Sequence, residues 1–165
     1  MSGVMEKWGE NVAGRGFAQI PNYLLLLNQF LGEDKRLSPS ELMILIQLVG
    51  AWWKKDEMPF PALKTLGVRA GISDRQAQRA ITRLEEEGYL KREKRKRGRL
   101  VASNAYNLEP LVEVLKDVAK AFPNEAPRKI RLRPTPTKAE AENFVGETAI
   151  RKNKPIKKLI RPKVG

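Results

Sequence analysis

Arg75, Gln76, Gln78, Arg79, Thr82 and Arg83 take the outward positions of a helix that starts at Ser73. These side chains suit one chemistry. An arginine fork meets both major-groove acceptors of guanine, glutamine pairs in the same way with adenine, and threonine serves either. Ser73 belongs to the same set at the helix head. The other end carries Glu85-Glu86-Glu87, where carboxylates oppose the helix dipole and repel phosphate. If this helix meets a polyanion, it does so with its N-terminal half. The plainer alternative is a solvent-facing helix whose arginines pair with the glutamate run.

A second set follows. From Lys91 to Arg99 (KREKRKRGR), seven of nine residues are cationic: Lys91, Arg92, Lys94, Arg95, Lys96, Arg97 and Arg99. Only Glu93 opposes them. At the tip of a hairpin they form a surface for phosphates or a minor groove. Protecting a strand edge with charge takes one or two lysines, fewer than are present.

The elements that must hold these residues can be read from caps and periods. Ser38, Pro39 and Glu41 form a capping box with proline at the first helical position, and Leu37 and Leu42 flank it as a staple. Leu42, Leu45, Ile46, Val49 and Trp53 continue at helical spacing, with Lys54 and Lys55 at the dipole's negative end. Leu63 and Leu66 predict a short helix over 62–70, in which Gly67 permits a close helix approach and Gly71 is the stop. Ser73 and Gln76 make a second capping box, followed by Ala77, Ala80, Ile81 and Leu84 on the inner face and a stop at Gly88. Two helices joined by a short glycine-containing turn are a helix-turn-helix. The period then shortens: strands are expected over 89–94 and 99–108 with a charged turn at 95–98, the wing of a winged helix.

Outside this unit, PNYLLLLNQFL (21–31) reads as a short, largely apolar helix. A final helix from Pro110 carries Leu111, Leu115, Val118 and Phe122 on one face, suited to packing on the domain or, by a slight preference, to dimerisation. Trp52 and Trp53 could stack on a single strand. At the end of an apolar helix they are expected to be core or core-edge instead. The fold class is therefore mainly α with a small β-hairpin: a winged helix-turn-helix domain, flanking helices and a disordered basic C-terminal tail. The chain divides into a flexible lead (1–16), the DNA-binding domain (17–108), the amphipathic helix (109–122) and the tail (123–165).

Composition sets the outer limits. The 165 residues hold 32 Lys+Arg against 19 Asp+Glu, a net charge of +13, with neither Cys nor His. That excludes thiol nucleophiles, His-based triads, disulfides and zinc sites built on those ligands. No phosphate loop of the GxxxxGK type is present, and no serine has a base beside it. No enzyme, metal or cofactor is expected. The longest near-apolar run, Leu42 to Trp53, is too short for a bilayer, so no membrane partner is expected and a cytoplasmic, nucleoid-associated setting is the default. Residues 1–88 balance to zero, and the whole excess lies beyond them, +5 in 89–122 and +8 in 123–165. In the tail, 13 of 43 residues are apolar and six are proline, too little to offset the ordering entropy. Its cations, Arg128, Lys129, Arg131 and Arg133 foremost, suggest a weak second arm on DNA, a solubilising tail or a peptide for a replication or transcription protein.

The runs GFAQIPNYLLLL, LSPSELMILIQLVGAWWKKD and LKTLGVRAGISDRQAQRAITRLEEEGYLKR resemble the N-terminal DNA-binding domain of phage replication protein O and related plasmid and phage replication initiators. The resemblance spans roughly residues 16–108, and the lead-in Phe17–Leu27 and the paired tryptophans are its most specific parts. It implies that the Ser73 helix contacts origin repeats through Arg75, Gln76, Gln78, Arg79 and Arg83. The expected function is thus sequence-specific binding of double-stranded DNA by a replication initiator, with homodimerisation possible. A winged-helix transcriptional repressor is the alternative, and a non-enzymatic adaptor or architectural nucleic-acid binder comes third.

Overall fold

The computed structural model describes residues 2–123. The chain is mainly helical with a small antiparallel hairpin, in the winged helix-turn-helix layout. The basic tail, with Arg128, Lys129, Arg131 and Arg133, lies outside the described residues.

Three helices make the centre: α5 (Pro39–Gly50), α6 (Leu63–Ala70) and α7 (Asp74–Glu86), each packed against the other two. Four short helices precede them: α1 (Ser2–Trp8), α2 (Glu10–Ala13), α3 (Asn22–Leu25) and α4 (Leu27–Phe30). Both expected capping boxes form. The Ser38 hydroxyl accepts from the Glu41 amide at 3.2 Å while the Glu41 carboxylate accepts from the Ser38 amide at 2.8 Å. Ser73 and Gln76 repeat the arrangement at 3.2 and 3.0 Å. Each box satisfies two amide donors that a helix start otherwise leaves unpaired.

Between α6 and α7 the chain turns through Gly71, held at φ 69, with the Ile72 amide donating back to the Gly67 carbonyl at 2.9 Å. A Cβ on Gly67 would sit 3.0 Å from the Ile72 carbonyl oxygen. The turn therefore requires glycine at 71 for conformation and at 67 for space.

The core differs from the sequence expectation along α5. Leu45 and Val49 are buried as expected, but Ile44 and Leu48 are fully buried while Leu42 and Ile46 are only partly so. The helix is apolar around much of its girth, so its own period cannot say which stripe faces inward. It also stops at Gly50, and Trp52 to Lys55 enter the following loop. Trp52 packs at the core edge; Trp53 does not, and is 76 % exposed. The inner face of α7 holds Ala77, Ala80, Ile81 and Leu84, as its pattern predicted.

The wing is a ladder in two pieces. β1 (Lys91–Glu93) pairs with β4 (Ala105–Asn107), and β2 (Lys96–Arg97) with β3 (Leu100–Val101). The Ala102 amide donates to the Arg95 carbonyl at 3.2 Å between the pieces, and the turn lies at Gly98, φ 64. The turn thus falls beyond the expected 95–98 segment's centre, because glycine accepts the positive φ that a lysine or arginine resists.

α8 (Glu109–Ala121) closes the domain against α3. The Tyr23 hydroxyl donates to the Phe122 carbonyl at 2.6 Å, and the Phe30 and Phe122 rings stack at 4.6 Å. Asn28 clasps the Leu37 backbone through its amide and its carbonyl, both at 2.8 Å. Of the two uses open to the α8 stripe, packing on the domain is the one seen: Leu111, Val118 and Phe122 are buried within the chain's own core, and Leu115 is packed partly against it. The stripe has an internal partner because α3 and α4 lay their apolar faces on it. The region 21–31 is two single turns interrupted at Leu26, rather than one helix. In the lead, α1 and α2 are helical, and none of their described residues is fully buried.

Candidate nucleic-acid interface

On α7, Arg75, Gln78 and Arg79 are exposed, and Thr82 is half-buried beside them. Positions 75, 78, 79 and 82 fall one turn apart and share a face. Neither arginine is drawn into an ion pair among the described residues. Ser73 and Gln76 stand at the helix head, but the Gln76 carbonyl oxygen is committed to the Ser73 amide and hydroxyl, which leaves its NH2 to donate outward.

Arg83 does not join this face. Its guanidinium reaches across to α5, 3.0 and 3.1 Å from the two Glu41 oxygens, and approaches the Arg36 carbonyl at 3.4 Å. Sequence placed it outward because it lies one turn from Arg79. Glu41, which is nearly buried, draws it in.

Two of the three glutamates in the run are likewise engaged. Glu85 accepts from the Arg92 amide at 2.8 Å and from the Arg92 guanidinium at 2.6 and 2.7 Å. Glu87 pairs with Lys35 at 3.3 Å, and Glu86 is exposed. Burial raises the Glu85 pKa, but the Arg92 amide and guanidinium outweigh it and hold the carboxyl below its ordinary range. The acidic end of α7 therefore serves as an anchor for the base of the wing and for the 33–35 turn. Arg92 leaves the set of free wing cations by the same contact.

Of the remaining wing residues, Lys91, Lys94, Lys96 and Arg99 are exposed. Arg97 pairs through its backbone with Leu100 near the tip. Arg95 turns back, its guanidinium 3.8 Å from the centroid of the Phe60 ring. Two further bonds tie the wing to the loop before α6: the Tyr106 amide donates to the Pro59 carbonyl at 2.9 Å and the Ser103 hydroxyl to the Phe60 carbonyl at 3.2 Å. The wing is thus fastened on two sides, by Glu85 from α7 and by the 59–60 loop.

Sequence reading missed the fasteners Glu41, Glu85, Lys35 and Phe60. Arg83 and Glu41 are 42 residues apart, and Lys35 and Glu87 are 52. No local pattern signals such pairs. Only Glu85 could have been suspected, seven residues before Arg92 across a helix stop and a strand start.

Among the described residues no group of three or more His, Cys, Asp or Glu could hold a metal ion, and no helix is long and apolar enough to cross a membrane. Residues 25–125, well over half of the chain, match the model of the DnaD N-terminal domain. The match starts within α3 and runs past the end of α8, so it takes in the helix-turn-helix, the wing and the closing helix. The finer resemblance to phage replication protein O finds no separate support in it. A comparison with curated proteins finds no match.

Proposed function

This chain belongs to the DnaD N-terminal domain family, a DNA-replication-related family, and from that premise we propose that it binds duplex DNA sequence-specifically at the initiation of replication. The observation that supports this is the division of charge on the folded unit. The N-terminal half of α7 offers Arg75, Gln78 and Arg79 to solvent, whereas two of the three glutamates at its far end are tied to Lys35 and Arg92. A helix presented in this way docks by its N-terminal residues into a major groove. Arg75, Gln78 and Arg79 read base edges, with Gln76 and Thr82 beside them. Lys91, Lys94, Lys96 and Arg99 meet phosphates of the flanking backbone. The role has no catalytic step.

The test has two parts. Purified protein is used to select fragments of the source genome, and affinity for the selected site is then measured against salt. The four exposed wing cations assigned to phosphates, Lys91, Lys94, Lys96 and Arg99, give an expected slope of log affinity on log salt of about −3.6. A slope near zero would remove the electrostatic part of the proposal. Enrichment of direct repeats supports an initiator, inverted repeats across promoters would replace it with a transcriptional regulator, and no enrichment would end the claim of sequence specificity.

A further inference from the structure

The loop that leaves α5 presents aromatic side chains that the core does not use. Trp53 is 76 % exposed and Phe60 54 %, with Met58 also exposed. Trp53 forms the ridge between two grooves. One, of about 390 Å3, runs along Met58, Pro59, Phe60 and Pro61; the other, of about 380 Å3, is bounded by Trp52, Lys54, Lys55, Val112 and Lys116. A scattered surface leucine would require no explanation, but adjoining exposed rings forgo a large burial and mark an interaction surface.

We propose that this Trp53–Phe60 ledge binds a single strand of DNA, its bases stacking on the exposed rings and its phosphates meeting the wing. The inference rests on the wing contacting nucleic acid, as proposed above. Three observations select this occupant. The ledge carries little net charge of its own, since Lys54 is paired with Glu57 at 2.8 Å and Lys116 with Glu113 at 2.8 Å, and the two other charges on its lining, Lys55 and Glu109, are of opposite sign. The adjoining wing supplies the field through its exposed cations Lys91, Lys94, Lys96 and Arg99. The two surfaces are in direct contact, because the Arg95 guanidinium lies over the Phe60 ring. Flat rings bordered by cations suit a polyanion with unpaired bases, for which stacking and phosphate contacts act together. A duplex keeps its bases inside the stack and cannot use the rings. An apolar or proline-rich peptide could use the rings but gains nothing from the cations.

The full chain is titrated, at one salt concentration, with a labelled oligothymidylate and with a duplex carrying its selected site. Trp53→Ala is the informative change, because the side chain is outside the core and fastens nothing. Stacking predicts a loss of single-strand affinity of about 5- to 150-fold with duplex affinity unchanged, and Trp53→Phe retaining most of the affinity. Equal single-strand affinity in the wild type and Trp53→Ala overturns the inference, as does an equal fall for both DNAs. Trp fluorescence that responds to a synthetic peptide of residues 128–138 and not to the oligothymidylate would reassign the ledge to peptide binding. Wild-type protein that binds the duplex but no single strand defeats this inference alone; binding neither defeats the duplex reading too.

Discussion

Arg79 and Arg83 lie one turn apart on α7 and are equivalent in the sequence, yet the structure assigns them opposite duties. Replacing Arg83 by Ala removes two hydrogen bonds to Glu41 and leaves that carboxylate nearly buried, its side chain 11 % exposed, with the Ser38 amide still donating to it. Breaking a fully buried pair costs ~3–5 kcal/mol, and an exposed pair ~0–1 kcal/mol. The Arg83 side chain is 36 % exposed, which puts this pair between the two. A loss of about 2 kcal/mol follows, or roughly 8 °C in Tm for a domain of this size. Adding Glu41→Gln should recover about 1 kcal/mol, because the unpaired charge goes while the cap remains. Arg79→Ala should leave stability within ~0.5 kcal/mol but weaken binding to the selected site by ~1–3 kcal/mol. Urea unfolding followed by circular dichroism and titration of the site, run on the same four proteins, measure both. If Arg83→Ala keeps its stability and loses site affinity as Arg79→Ala does, the pair is not formed in solution and the DNA-facing side of α7 is drawn wrongly.

Three further outcomes follow from the packing. Leu111→Ala, at a position 2 % exposed, should cost ~2–5 kcal/mol with no change in the mass seen by sedimentation; a dissociating oligomer with intact fold would restore the dimerisation stripe. Gly67→Ala places a Cβ 3.0 Å from a backbone carbonyl, and should lower stability by ~1–3 kcal/mol in the same urea assay, whereas a neutral result would mean that the turn can open. The Glu85 carboxyl is held below its ordinary pKa, so its contribution is present above the unfolded value and lost as pH falls through the folded one. The stability difference between wild type and Glu85→Gln should therefore be largest at neutral pH and shrink below about pH 4.5, where the unfolded carboxyl also protonates. A difference independent of pH would show that the wing's tie to α7 is not ionic.

The residues differ in how much of their duty the sequence disclosed. Ser38 with Glu41, Ser73 with Gln76, Gly67, Gly71 and the inner face of α7 were all legible, because a cap, a turn and an amphipathic stripe involve residues within a few positions of one another. The concentration of cations after residue 88 was equally plain, since charge is carried by composition. The order of helix, turn, helix and hairpin followed from those signals alone. Tertiary structure decided which of the cations are free. Arg83 and Arg92 look like their neighbours until Glu41 and Glu85 are brought beside them, and an ion pair depends on distance in space rather than along the chain. Tertiary structure also decided what covers an apolar face. The stripe on α8 could have met a second copy, and meets α3 and α4 because the segment 22–30 folds back on it. In the same way Trp53, grouped with the core by its place in an apolar run, was left in solvent when α5 ended at Gly50. A hydrophobic pattern records that burial is favourable, but which surface supplies it is fixed only when the elements dock.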